Sequence, residues 1–209
     1  MEYQIRRAAS VAALALAGLA GISCTDAPTA TAFGTMNVLL KDAPGDVATA
    51  VVTIESVYLQ SDTAQGSGRI VLRDTPVTID LLTLRDTAMS LVSAASIPAG
   101  KYHQLRFVIS DAYIAVVGTD TTQRTVYATS PAYAGLPAGT TVDGTLQMPS
   151  FASSGLKVKL PGDAVQVDAN GVTTLLVDFN VAQSFGRVAG ASGRWVMSPV
   201  VQATAATNP

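Results

Sequence analysis

His103 is the only histidine in the chain, so any mechanism that needs an imidazole has to run through it. A Ser-His-Asp triad would set it between a nucleophile and an acid. The Gly-x-Ser-x-Gly turn that exposes such a serine in one large hydrolase class occurs nowhere. Zinc wants three or four ligands, mostly nitrogen and sulfur, and one histidine with one cysteine leaves such a centre incomplete. His103 reads as a histidine near the end of a strand. Ser154-Gly155-Leu156-Lys157 formally matches the Ser-x-x-Lys nucleophile pattern. That pattern works together with Ser-Asp-Asn and Lys-Thr-Gly partners; both are missing, and Lys157 falls in a strand-like stretch. No catalytic residue is assigned, and the chain reads as something other than an enzyme.

Carboxylates and aromatics come next. There are 13 Asp against 2 Glu, and the Asp recur near turns: Asp42 and Asp46, Asp74 and Asp80, Asp163 and Asp168. Calcium takes six to eight oxygens, often from such loops. No complete Asp-x-[Asp/Asn]-x-[Asp/Asn]-Gly loop exists, and Asp168-Ala169-Asn170-Gly171 reads as a turn, the tight Asn-Gly turn of a hairpin over Val165–Val172 with positive φ. Asp42 and Asp46 are the residues a calcium site would draw on first; no other cofactor is indicated. Two carboxylates about 5–10 Å apart across a cleft would instead suit a glycosidase. Trp195 and Tyr133 are the candidates for stacking on a sugar ring. Aromatic residues in strands also form core and cross-strand pairs, so burial decides between the two roles.

The elements that must hold these residues are strands. Hydrophobic residues make up 48% of the 209, so the chain folds, and only 13% are charged against a usual share of about 25%. Abundant Thr and Val with 17 Gly and 10 Pro point to strands joined by turns. In Ile97–Ser110, Pro98 and Gly100 make a turn that would use glycine at positive φ. Leu105, Phe107 and Ile109 then alternate as a central strand does. Similar runs lie at 33–40, 50–59, 69–72, 77–82, 113–117, 124–127, 156–160, 165–168, 173–179 and 194–201. Thr83 to Ala95 has helix-like spacing at Leu84, Ala88, Leu91, Val92 and Ala95, predicting a short helix or helical loop. Ser130–Asp143, rich in Pro, Gly and Ala, reads as a surface excursion. The prediction is one β-sandwich domain over residues 33–204, with a tail at 205–209. The net charge of −2 and the lack of a basic cluster exclude nucleic acid as a partner.

The start of the chain reads as an export address. Arg6 and Arg7 precede an apolar stretch from Ala8 to Ile22, too short for the ~20 residues of a spanning helix. It ends at Ser23-Cys24, the only cysteine, and resembles a bacterial lipobox with Gly21 where Leu or Val is usual. That resemblance implies a signal at 1–23, acylation of Cys24 and a tether over 24–32. Thr25 after the cysteine implies an outer-membrane address. An ordinary signal cut after Ala30-Thr31-Ala32 is the alternative.

Several segments together resemble the bacterial lipoprotein family known as domain of unknown function 4382. They are Val38-Leu39-Leu40-Lys41-Asp42-Ala43-Pro44, Ile79-Asp80-Leu81-Leu82 and Pro98-Ala99-Gly100-Lys101-Tyr102-His103-Gln104-Leu105-Arg106. Ser154-Gly155-Leu156-Lys157, Leu176-Val177-Asp178-Phe179-Asn180 and Trp195-Val196-Met197-Ser198-Pro199-Val200 follow in order. The 130–143 excursion is longer than usual there, and Asn180 stands where Asp is common. The Pro-Ala-Gly-x-Tyr opening also resembles prealbumin-like and carboxypeptidase-regulatory-like Greek-key sandwiches, in which the Tyr locks a strand start. The resemblance implies an all-β, transthyretin-like sandwich on a lipid anchor and brings no activity with it. The functional expectation is a non-catalytic module of the cell envelope that binds a glycan or another envelope protein. A carboxylate-dependent hydrolase and a purely structural lipoprotein are the alternatives.

Overall fold

The computed structural model describes residues 31–43, 47–60, 68–117, 123–148, 152–188 and 194–206. Cys24 and Asp46 lie outside them. The described residues belong to one compact unit beginning at Thr31. In β1 (Phe33–Ala43), Met36, Val38 and Leu40 alternate inward and are fully buried. Next come β2 (Val47–Gln60), β3 (Arg69–Arg73) and β4 (Val77–Asp80). A 3-10 turn over Leu81–Leu84, capped by the Asp80 carboxylate accepting from the Leu82 N–H, leads to β5 (Met89–Pro98). β6 (Gly100–Tyr102) and β7 (Gln104–Val117) complete the first half. The second half contains β8 (Arg124–Ala128), β9 (Gly144–Gln147), β10 (Leu156–Val158) and β11 (Val165–Val167). β12 (Val172–Asn180), the single helical turn α1 (Val181–Ser184), β13 (Phe185–Val188), β14 (Arg194–Met197) and β15 (Val200–Ala206) close the chain.

Two sheets form a sandwich. The smaller runs β15-β12-β1-β5 and the larger β13-β14-β9-β8-β7-β2-β3. The first strand pairs parallel with β12, tying the two ends of the domain together. Met36, Val38, Leu40, Val177 and Phe179 of the smaller sheet share one core with Ile54, Leu59, Leu105, Phe107 and Ile109 of the larger. With no cysteine after Cys24 the domain has no disulfide, so apolar burial supplies its cohesion.

The spine is β2 against β7, each 14 residues long, and both bulge near the middle. Ala50, Val52 and Ile54 face the core before the β2 bulge, Val57 and Leu59 after it. In β7 the inward set changes from Leu105, Phe107 and Ile109 to Ala112 and Ile114. An inserted residue reverses the parity of all that follows. The bulges thus set which polar residues reach the outer face: Gln104 and Arg106 at one end, Asp111 and Tyr113 at the other. On the free edge of each long strand sit two short ones: β3 and β4 on β2, and β8 and β10 on β7.

Three expectations need correction. The segment 83–95 is not helical: it gives a 3-10 turn, an irregular link and then β5. Leu91 and Val92 are both buried because the β1–β5 register shifts there, and Ala94 takes φ 50 while its N–H donates to Asn37 Oδ1 at 2.7 Å. Two adjacent core residues followed by Ala95 imitate a helical stripe. Gly100 sits in β6, is absent from the positive-φ residues and has open space where a Cβ would go. What fixes this corner is Tyr102, buried, with its hydroxyl donating to the Pro98 carbonyl at 2.6 Å. Finally, Asn170 takes the left-handed conformation (φ 58) as expected, but β11 and β12 form no hairpin: β11 pairs with β6, whereas β12 enters the smaller sheet.

Candidate functional site

Among the described residues, a depression lies at each end of β7 on the outer face of the larger sheet. The first, about 530 Å³, is lined by Thr53, Thr78, Asp111, Ser130 and Tyr133 among others. Tyr133, 8% exposed, enters from the 129–143 segment and packs at 6.1 Å on Tyr113. Val51, Tyr113, Ala128 and Tyr133 make a second apolar cluster, covered by Val126, Leu136 and Val142. The polar atoms here serve one another. Thr53 Oγ1 lies 2.7 Å from the Tyr133 hydroxyl and 2.8 Å from Thr78 Oγ1, and the Thr129 hydroxyl donates to Asp111 at 2.9 Å. Asp143 clamps the segment by accepting the Val126 N–H at 2.7 Å. Burial pushes the Tyr133 phenol above its ordinary pKa and Asp111 adds to this, while hydrogen bonds to Thr53 and Thr78 work against it. Tyr113 is raised by burial, then by Asp80 and Tyr133. This end is closed.

The second depression, about 490 Å³, is lined by His103, Gln104, Lys157, Lys159, Leu160 and Asp163. His103 stands between β6 and β7, and Gln104 opens β7. β10 pairs with β7 through Leu156–Phe107 and Val158–Leu105, which sends Leu156 and Val158 into the core and leaves Lys157 exposed. Lys159, also exposed, is fixed by its backbone to β15: its N–H donates to Val201 at 3.0 Å and its carbonyl accepts from Ala203 at 2.8 Å. Two residues apart on an extended chain, the lysines stand about 7 Å apart. Among the described residues neither has an acid within ion-pairing distance, whereas Lys41 pairs with Asp178 at 3.1 Å.

The floor beside the groove is rigid. Arg106 donates to Gln104 Oε1 from Nε at 3.0 Å and Nη2 at 2.8 Å, and to the Ser154 carbonyl from Nη1 at 2.7 Å. The Tyr58 hydroxyl donates to the same carbonyl at 2.9 Å, and the Arg69 guanidinium covers the Tyr58 ring at 3.8 Å. Gly155 lets the 152–155 turn approach this closely. It has φ +69, and a Cβ there would lie 3.3 Å from the Phe107 carbonyl oxygen. The resulting surface offers cations, an imidazole, an amide and one carboxylate along one depression. It can bind; it has no nucleophile–base pair.

The residues singled out from sequence are scattered. His103 and Lys157 come together, with Ser154 contributing its carbonyl to the floor rather than a nucleophilic hydroxyl. Asp42 is 2% exposed, and its Oδ1 accepts the Val181 N–H at 3.2 Å, pinning the end of β1 to α1. Groups of three or more His, Cys, Asp or Glu able to hold a metal are absent among the described residues. The Tyr133 ring is buried, with the tilted Tyr113 ring at 6.1 Å and Gly135 against it, where it lines the first depression. Trp195 is half-buried, its ring 5.0 Å from that of Tyr127 two strands away, across β9. Lys159, Gln104 and Asp163 were missed as groove residues. The exposed parity of Lys157 and Lys159 was visible, but the pairing of β10 with β7 was not. No helix among the described residues is long and apolar enough to cross a membrane.

No curated protein and no solved structure matches the chain. The family model for the domain of unknown function DUF4382 matches residues 33–199, from the first residue of β1 to the threshold of β15. The larger sheet, both depressions and the β2–β7 spine thus lie within the matched segment, as does the smaller sheet apart from β15. The chain belongs to the DUF4382 family.

Proposed function

We propose that this protein is a non-catalytic binding module, lipid-anchored through Cys24 and displayed outside the cytoplasm on the outer membrane, with a glycan as its ligand. The carrying observation is the open groove at His103, Gln104, Lys157, Lys159, Leu160 and Asp163. Its polar groups are presented on strands, and both lysines lack ion-pair partners among the described residues. The export address and the lone cysteine supply the setting. The glycosidase alternative asks for two carboxylates facing each other. Asp163 is the carboxylate lining this groove, and Asp111 the one lining the closed depression. That distribution favours binding over hydrolysis, and no cofactor is needed for it.

The test is to probe full-length protein, purified in detergent, on polysaccharide and peptidoglycan arrays with and without calcium. Binding to at least one glycan class, unaffected by calcium, is the expected result. Failure on every surface, or recovery only of a protein partner, would overturn the glycan reading. The anchor has its own test. Cys24→Ala should move the protein from the membrane fraction to the soluble one, since the acyl chains supply the attachment; unchanged fractionation would remove the lipid.

A further inference from the structure

We infer that the groove at the β6–β7–β10 end takes an acidic glycan, a hydroxyl-rich chain bearing carboxylates; this rests on the binding-module reading. Three observations carry it. First, charge is concentrated against the trend of the chain. The molecule has net charge −2, yet Lys157 and Lys159 both line this one depression with no acid paired to either among the described residues. Lysines whose Cα atoms stand about 7 Å apart on a strand bring two like charges to one groove, and anions along a bound chain relieve their repulsion.

Second, the groove keeps hydrogen-bonding capacity that the closed depression has used up. There, Thr53, Thr78 and Tyr133 satisfy one another, and Asp111 accepts from Thr129. In the groove, Arg106 ties down only Gln104 Oε1, so the Gln104 amide nitrogen remains as a donor. The His103 imidazole adds a donor and an acceptor in its neutral form. Third, Asp163 selects within the anions. A carboxylate among the cations repels a dense array of phosphates, such as a lipid headgroup surface, but accepts hydrogen bonds from sugar hydroxyls. It is held at φ 60 in the Pro161–Asp163 turn, directly after Leu160 of the groove wall. Cations for carboxylates and an acceptor for hydroxyls together describe a uronate-type saccharide.

The experiment measures binding of full-length protein in detergent to three probes: polygalacturonate, dextran and phosphatidylglycerol vesicles. Polygalacturonate should bind, and weaken as salt rises from about 0.1 to about 1 M and the screening length falls from about 10 to about 3 Å. Dextran and the vesicles should not bind. Lys157→Glu with Lys159→Glu should lower polygalacturonate affinity by at least about tenfold, the loss of one or more charge-assisted hydrogen bonds. Lys41→Gln, which removes a lysine paired with Asp178, should leave it unchanged. Near-ultraviolet circular dichroism verifies the fold, and the gentler Lys157→Gln, Lys159→Gln pair serves if charge reversal impairs it. Equal affinity for dextran and polygalacturonate overturns this inference while the module reading stands. So does binding to vesicles without polygalacturonate, or indifference to both lysine pairs. Failure of these glycans and of every array surface overturns both.

Discussion

The two ends of β7 make a controlled comparison, because the same strand pair, bulged in the same middle, carries both. At the Asp111–Tyr113 end the chain doubles back as the 129–143 segment and seals the sheet with Tyr133, Leu136 and Val142. At the Gln104–Arg106 end the covering piece among the described residues is the turn before β10, and the depression past it is lined mainly by polar side chains. The closed end satisfies its polar atoms internally, as buried groups must. The open end fixes its polar groups from behind, through Arg106 and the Ser154 carbonyl, and leaves their outward sides unused. Internal satisfaction marks structure. Rigid support with spare capacity marks a site.

The largest effect should come from removing the seal. Tyr133→Ala deletes a buried aromatic and opens a cavity over Tyr113, a change that costs about 3–5 kcal/mol in comparable cores. Urea unfolding should show that loss, while groove binding by the folded protein stays intact. Tyr133→Phe keeps the ring and loses only the hydroxyl bond to Thr53, about 1 kcal/mol. An alanine variant no worse than the phenylalanine one would mean that 129–143 covers nothing of consequence.

Next in size is the frame of the open end. Gly155→Ala forces a side chain into φ +69 within 3.3 Å of the Phe107 carbonyl, so a loss of about 1–2 kcal/mol is expected. Because the Ser154 carbonyl anchors Arg106 and Tyr58, groove affinity should fall as well. Gly100→Ala is the matched control, with room for a Cβ and no positive φ, and should stay within about 0.5 kcal/mol of wild type. If both glycines respond alike, the turn before β10 has no special part in building the groove.

These contrasts also show where sequence was legible. Strand alternation was plain at Met36–Leu40 and Leu105–Ile109, where nothing interrupts the period of two, and the all-β class followed from it. It broke at bulges. Leu91-Val92 looked helical because a register shift places two neighbours against the core, and no local signal separates that from a helical stripe. Gly100 looked like a positive-φ turn residue, whereas the corner is held by a Tyr102 bond to Pro98. The site was less legible still. His103 and Lys157, more than 50 positions apart in sequence, meet because β10 lies on β7, and strand adjacency between distant segments leaves no mark on either of them. Tyr133 showed its aromatic chemistry but not its burial.

A pH scan sharpens the comparison from the closed side. Tyr102, Tyr113 and Tyr133 all have raised pKa values, led by burial in each case. Above the ordinary tyrosine value of about 10 the unfolded chain gives up its phenolic protons first, so the native state then holds more protons than the unfolded one. Stability is therefore fully present below that pH and declines as pH rises toward the native values. Tyr113→Phe with Tyr133→Phe should flatten the alkaline decline measured by thermal melting. An unchanged slope would place those phenols in water.

The smallest expected effect is on the other side, and its smallness is the point. Lys157 and Lys159 are exposed, pair with no acid among the described residues and stand about 7 Å apart. Two like charges at that distance in water repel by about 0.6 kcal/mol before salt screening. Replacing both with Gln removes the repulsion and leaves the backbone bonds of β10 and the Lys159 bridge to β15 in place. Chemical unfolding of that variant should match wild type within about 0.5 kcal/mol or show a slight gain, even as polygalacturonate binding drops. Residues whose loss costs affinity and no stability are held for a ligand. A destabilisation above about 1 kcal/mol would instead make the lysines part of the scaffold, and the two ends of β7 would then differ only in how they are closed.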